Sequence, residues 1–241
     1  NSVCGINFGG GKAALNLKNV NKTPGLYQSY GEVVEFLKGE YLTAGDVNTF
    51  REDLIECSKT TKYVYGINIE TSGPTSRGLF HAIRLTNNFI NNSNDIKNVH
   101  IAISGVGKVG GKLAKLLVKA GSKITAASIN YELIKKLKNE INLVEVNPKN
   151  LYGTTCDIIS PCALGGVINQ SNKHHLKCKA IVGAANNQLE NSFIAEWLQK
   201  NKIVYSPDYL VNSGGVIAIA SEINNTESLL EQQLEKIANR L

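Results

Sequence analysis

The stretch from Val99 to Gly121 limits the possible folds more than any other. An apolar run, His100-Ile-Ala-Ile-Ser104, leads into Gly105-Val-Gly107-Lys-Val-Gly110, and apolar residues then recur at Leu113, Leu116, Leu117 and Ala120 before Gly121. This reads as a buried strand, a glycine turn and a helix with one apolar face, closed by a glycine suited to the left-handed position after a helix. Lys123-Ile-Thr-Ala-Ala-Ser-Ile129 is the next strand. Asp157-Ile-Ile, Ala180-Ile-Val and Lys202-Ile-Val-Tyr continue the pattern, with a helix over Phe193 to Leu198. Strands alternating with helices predict an α/β fold built on a doubly wound parallel sheet covered on both faces.

In the context of strand, turn and helix, each glycine has its own task. Gly105 permits the tight turn, Gly107 lets backbone N–H groups approach a pyrophosphate, and Gly110 lets helix and strand pack closely. The helix N-terminus offers unpaired donors to the same phosphates. A nicotinamide dinucleotide, NAD, is the expected ligand. At the end of the second strand, where a carboxylate would hold the ribose 2′-hydroxyl, stands Ser128. No charge there repels a 2′-phosphate, so NADP is also admitted.

The front of the chain has a different texture. A helix is expected around Glu32 to Leu37, a turn over Tyr41 to Asp46, and a hinge from Asn68 to Thr75, followed by a helix through Leu79, Phe80, Ile83 and Leu85. Gly9-Gly10-Gly11-Lys12 is not a nucleotide P-loop: Ile6 takes the place of the first glycine, and Ala13 follows the lysine. Its glycines allow close approach of backbone to a small substrate, and a lysine desolvated there can exchange protons near neutrality. On the glycine run alone, Lys12 reads more readily as a solvated surface lysine on a mobile loop. Asp46 by itself reads as a turn or helix-cap aspartate. The expected organisation is a partial substrate domain at 1–70, a dinucleotide-binding domain with hinge segments at 71–222, and a C-terminal helical segment at 223–241.

Composition excludes several classes. The net charge of +6 in 241 residues comes from scattered lysines without interleaved aromatics, so nucleic acid is not an expected partner. No apolar run reaches membrane-spanning length, and no signal-like segment opens the chain, so a cytoplasmic location is expected. Five cysteines, without a C-x-x-C pair, support neither a disulfide framework nor a zinc site, and no metal is expected.

Six stretches, in order, carry a family resemblance: Gly5-Ile-Asn-Phe-Gly-Gly-Gly-Lys-Ala13, Tyr41-Leu-Thr-Ala-Gly-Asp-Val47, Gly105-Val-Gly107, Cys156-Asp-Ile-Ile-Ser-Pro-Cys-Ala-Leu-Gly165, Gly183-Ala-Ala-Asn-Asn-Gln-Leu189 and Pro207-Asp-Tyr-Leu-Val-Asn-Ser-Gly-Gly-Val216. With these the chain resembles the glutamate/leucine/phenylalanine/valine dehydrogenase family, most closely its leucine dehydrogenase branch. The resemblance implies a substrate domain and a Rossmann-type domain, with reversible oxidative deamination of an aliphatic L-amino acid to a 2-oxo acid and ammonia. It makes Lys12 the catalytic lysine and Asp46 the catalytic carboxylate. It places Thr75, Asn186 and Asn187 near the nicotinamide amide, Cys162, Ala163 and Leu164 along the cofactor ribose, and Asn212, with Gly214 and Gly215, where the domains meet. Gly10 and Gly11 would approach the substrate. Ala44, Val216 and Ile219 would line an apolar side-chain pocket, although Val216 and Ile219 read equally well as helix packing.

Domain closure would act through 68–78 and 210–222, and a homo-oligomer is expected. The family's substrate-carboxylate lysine falls immediately before Asn1. Two spacings, Lys12 to Asp46 and the one at Pro74-Thr75, run one residue short, and one methionine at each would restore them in a chain that has none. The rival expectation is a catalytically silent nucleotide-binding or assembly subunit. A phenylalanine- or valine-specific enzyme stays open beside the leucine-like one.

Overall fold

The computed structural model describes residues 1–46 and 48–241; Val47, the last residue of the Tyr41 motif, lies outside the described residues. Two compact units emerge, Asn1–Thr71 with Val216–Leu230, and Ser72–Gly215 with Glu231–Leu241.

In the first unit, α1 (Pro24–Phe36) starts where the Thr23 hydroxyl accepts the Leu26 N–H and proline fills the first helical position, which needs no N–H. Strands β1 (Thr43–Ala44) and β2 (Val64–Tyr65) flank α2 (Arg51–Ser58) in sequence and pair in parallel. Leu54, Cys57 and Val64 form a small core, with Tyr30 and Ile67 packed on it.

The second unit opens with α3 (Ser72–Asn91). It then runs β3 (His100–Ser104), α4 (Lys108–Lys119), β4 (Lys123–Ala127), α5 (Tyr131–Glu140), β5 (Val144–Glu145), β6 (Ile158–Pro161), β7 (Ala180–Ile181), α6 (Ser192–Lys200), β8 (Val204–Tyr205) and α7 (Asp208–Val211). Helix α8 (Gly214–Ile223) carries the chain into the first unit, and α9 (Leu230–Ala238) belongs to the second from Glu231 onward. The six-stranded sheet has the order β5-β4-β3-β6-β7-β8, parallel throughout. This is the doubly wound Rossmann order, and its direction reverses between β3 and β6. Side chains alternate across it: Ile101, Ile103, Ile158 and Ala180 enter one core with α3 and α4, while Ala102, Ile159 and Ile181 enter another with Leu151, Ile194 and Leu198.

Local boundaries differ from the sequence expectations for definite reasons. Strand β4 stops at Ala127 and not at Ile129, because Ser104, the last residue of β3, pairs with Ala127 and Gly105 then turns away; Ile129 is left 94% exposed. The segment 72–75, expected as hinge, is already helical, since Pro74 lies in the first turn of α3, where an N–H has no intrahelical acceptor. Residues 216–222, expected with the dinucleotide domain, pack with the front of the chain. The α5 and β5 elements gave little sequence signal: α5 buries only Ile134 and Leu137, and β5 is two exposed residues long.

Candidate active site

The glycine motif joins β3 to α4 at the switch point of the sheet. Gly105 takes φ +93°, and a Cβ there would lie 2.7 Å from the Cβ of Ala163. A Cβ on Gly110 would fall 2.0 Å from the Gly105 carbonyl oxygen, so only glycine lets α4 close on the turn. Around Gly107, by contrast, a Cβ would meet nothing within 4 Å. Gly107 precedes the first turn of α4 and offers no side-chain cap, so that turn's N–H groups stay available to phosphate oxygens. Two tight glycines and one open one fit a dinucleotide pyrophosphate.

Residues of neighbouring loops converge on the same end of the sheet. The Cys162 N–H donates to the Ser104 carbonyl at 2.7 Å, which holds the 162–164 segment beside β3; burial pushes the Cys162 thiol above its ordinary range, which suits a packing role rather than a nucleophilic one. Leu164 is exposed. A Cβ on Gly165 would meet the Asn186 and Asn187 carbonyl oxygens at 2.5 and 3.0 Å. The Asn212 amide donates to the Asn186 side-chain oxygen at 2.6 Å, and the Asn187 N–H donates to Asp208 at 2.5 Å. Asp208 also accepts the Tyr205 hydroxyl at 3.0 Å.

Below this loop the fully buried Gln188 donates to the Gly183 and Ala185 carbonyls at 2.6 and 3.0 Å, bracing the turn from within. Sequence reasoning singled out neither Asp208 nor Gln188 as a site residue, although both stand inside quoted motifs. Thr75 is buried in the first turn of α3, and a Cβ on Gly214 would lie 2.7 Å from its Cα. Ser128 follows β4 directly, its hydroxyl accepting the Asn130 N–H at 3.1 Å.

The first unit holds the second group. Lys12 Nζ forms an ion pair with Asp46, their side chains 73% and 46% exposed. The lysine is therefore paired, and solvent still reaches it. Nothing would lie within 4 Å of a Cβ on Gly9 or Gly10, whereas on Gly11 it would meet the Tyr41 ring at 2.9 Å, so Tyr41 supports the backbone that carries Lys12. The Tyr30 hydroxyl shares a hydrogen bond with Thr43 at 2.8 Å, and burial, with Tyr41 adjacent, pushes it up to about 12.

Ala44 and Ile219 meet at Gly66. An added Cβ there, at φ +79°, would come 2.8 Å from Ile219 Cδ1 and 4.0 Å from Ala44 Cβ. The Gly66 N–H donates to Glu222 at 2.8 Å. Val216 stays 41% exposed on the same helix, α8. Gly66 and Glu222 carried no sequence signal, since 156 positions separate them.

Known proteins resemble this chain over most of its length. A family model described as Glutamate/Leucine/Phenylalanine/Valine dehydrogenase matches residues 129–241. The chain is 39% identical over 233 residues to a phenylalanine dehydrogenase of Thermoactinomyces intermedius, and 34% identical over 230 residues to a leucine dehydrogenase of Geobacillus stearothermophilus. Each alignment covers 92% of this chain and 63% of the relative, so the chain spans less than two thirds of their length. The crystal structure of L-tryptophan dehydrogenase from Nostoc punctiforme superposes with a TM-score of 0.80 at 33% identity, covering 92% of this chain and 65% of that one. Relatives with three different amino acids in their names share the framework, so the likeness does not separate substrates within it. A parallel sheet ordered around a glycine cradle, a glycine-flanked lysine paired with an aspartate, and relatives matched along nine tenths of the sequence lead to one conclusion: the chain belongs to the glutamate/leucine/phenylalanine/valine dehydrogenase family.

Proposed function

We propose that this protein interconverts an aliphatic L-amino acid of the leucine, valine or isoleucine type with its 2-oxo acid and ammonia, using NAD. The observation that carries the reading is the Lys12–Asp46 ion pair beside the open glycines 9 and 10, in a chain of this family. The bound dinucleotide supplies the acceptor for the hydrogen on the substrate Cα. Gly105, Gly107 and Gly110 hold its pyrophosphate, and Thr75, Cys162, Ala163, Leu164, Asn186, Asn187 and Asn212 hold its ribose and amide.

Asp46 takes the proton released by the substrate ammonium and returns it to the departing nitrogen. As water adds to the substrate iminium it loses one proton to solvent, and the Lys12 ammonium stabilises the negative charge that develops on that oxygen when the carbinolamine gives up its second proton and collapses to the 2-oxo acid and ammonia. Gly10 and Gly11 let the substrate come close to the backbone. Ala44, Val216 and Ile219 offer no charge, which disfavours a glutamate side chain and favours an aliphatic one. Burying the exposed Lys12–Asp46 pair under substrate strengthens it, since a charge pair attracts more in a dry site. We place the enzyme in the cytoplasm as a homo-oligomer; among the described residues no helix is long and apolar enough to cross a membrane.

The test is NADH formation by the full-length protein with leucine, valine, isoleucine and phenylalanine at alkaline pH. Branched aliphatic substrates are expected to give the highest kcat/KM. Lys12→Ala lowers turnover by about 10²–10³-fold, the cost of removing one group that stabilises a developing oxyanion, with NADH affinity nearly unchanged. Unchanged turnover removes the assigned role of Lys12. Tight NADH binding without turnover on any amino acid favours the silent nucleotide-binding subunit instead.

A further inference from the structure

We infer that the adenosine end of the cofactor site accepts a 2′-phosphate, so that this chain binds the phosphorylated and unphosphorylated nicotinamide dinucleotides with comparable affinity. The inference rests on the dinucleotide reading proposed above and concerns the turn from β4 to α5. A carboxylate at the end of the second strand of such a sheet would accept the ribose hydroxyls and repel a phosphate. Ser128 does neither with a charge. Its hydroxyl oxygen already accepts the Asn130 N–H at 3.1 Å, which leaves its proton to donate to a ribose or phosphate oxygen.

The surroundings are positive. Residues 128–138 contain three lysines, Lys135, Lys136 and Lys138, against the single carboxylate Glu132. Glu132 stands three and four positions before Lys135 and Lys136 on α5, the spacing at which opposite charges compensate on a helix. Glu145 on the adjacent strand β5 is paired with Lys138 at 2.9 Å, and Glu140 is paired with Lys115. Lys135 Nζ stands 5.9 Å from the centroid of the Tyr131 ring, and that ring and Ile129 are 63% and 94% exposed. An exposed apolar side chain and an aromatic ring with an ammonium beside it, immediately after a hydroxyl, suit a purine and an adjacent dianion.

Fluorescence titration of the full-length protein with NADH and with NADPH tests this without turnover, and displacement of each by adenosine 2′,5′-bisphosphate reads the adenosine end alone. Dissociation constants within about tenfold of one another are expected. Ser128→Asp shifts the ratio at least tenfold toward NADH by restoring the repulsive carboxylate. Lys135→Ala weakens NADPH and the bisphosphate severalfold and leaves NADH in place. NADH binding a hundredfold tighter than NADPH, or a ratio untouched by Ser128→Asp, overturns the inference and leaves the dehydrogenase reading standing. Binding of neither dinucleotide overturns both.

Discussion

Gly107 and Gly110 stand one helical turn apart, and an added methyl group does different harm at each. At Gly110 it would press on the Gly105 backbone oxygen at 2.0 Å, with Cys162 Cβ at 3.0 Å, and a backbone atom cannot swing aside. Gly110→Ala is therefore expected to destabilise the protein by about 1–3 kcal/mol, the usual cost of overpacking, and to weaken dinucleotide binding with it. At Gly107 the methyl meets nothing within 4 Å. Gly107→Ala changes stability by less than about 1 kcal/mol, the scale of a lost helix cap, yet on the proposed dinucleotide site it weakens NADH binding about tenfold or more, because the methyl would enter the space assigned to the pyrophosphate. Urea unfolding and NADH titration on both variants separate the two effects; equal stability losses would refute the assignment. The turn at Gly105 and the close packing at Gly110 were legible in the sequence because each of these motif positions maps onto one backbone constraint. Glu222 was not: its partner is the Gly66 N–H, and no local pattern announces a hydrogen bond between residues so distant along the chain.

Among the elements, the sheet shows where a sequence reading stops. Apolar runs revealed its strands, but not what ties their N-terminal ends together. Asp157, read as the first residue of a strand, lies one position before β6 and joins the starts of three strands, β3, β6 and β7. Its carboxylate accepts the His100 N–H at 3.0 Å and Lys179 Nζ at 2.8 Å, and its carbonyl accepts the N–H groups of Lys179 and Ala180 at 2.9 and 3.1 Å. Burial alone would raise this carboxyl; the Lys179 ammonium and the His100 N–H outweigh it and hold it below the ordinary aspartate value. A carboxyl lowered in the folded state contributes stability above its unfolded value, near pH ~4, and loses it as the pH falls through the folded one. Asp157→Asn is expected to lower stability at pH ~7 by roughly 1 kcal/mol, as for a partly exposed charged hydrogen bond. The gap between variant and parent should narrow at pH ~3. Urea midpoints at both values check it, and a gap that widens in acid would contradict the assignment. Side-chain anchors of this kind escape periodicity because they depend on which strands become neighbours.

At the scale of the whole molecule, the path of the chain matters most. It leaves the first unit at Thr71, re-enters it at Val216 and returns to the second at Glu231. The last segment was legible as helical; the destination of its apolar Leu229, Leu230, Leu234 and Ile237 was not, because an amphipathic face specifies burial without naming the surface that buries it. That surface belongs to α3. An added Cβ on Gly78 would lie 2.6 Å from Ile237 Cδ1 and 3.7 Å from Leu234 Cδ2, and both side chains are fully buried. Arg77 Nε lies 2.7 Å from Glu231 on the same pair of helices. The apolar contacts should dominate, since removing a buried leucine or isoleucine side chain costs about 2–5 kcal/mol and an exposed ion pair contributes under about 1 kcal/mol. Ending the chain at Leu230 is therefore expected to destabilise the second unit by roughly 4 kcal/mol or more, seen as a lower unfolding midpoint followed through the fluorescence of Trp197. Leu234→Ala with Ile237→Ala should reproduce most of that loss, and Glu231→Gln almost none of it. A truncated chain with an unchanged midpoint would mean that α3 is stable uncovered, and the closing helix would then have no structural part in the second unit.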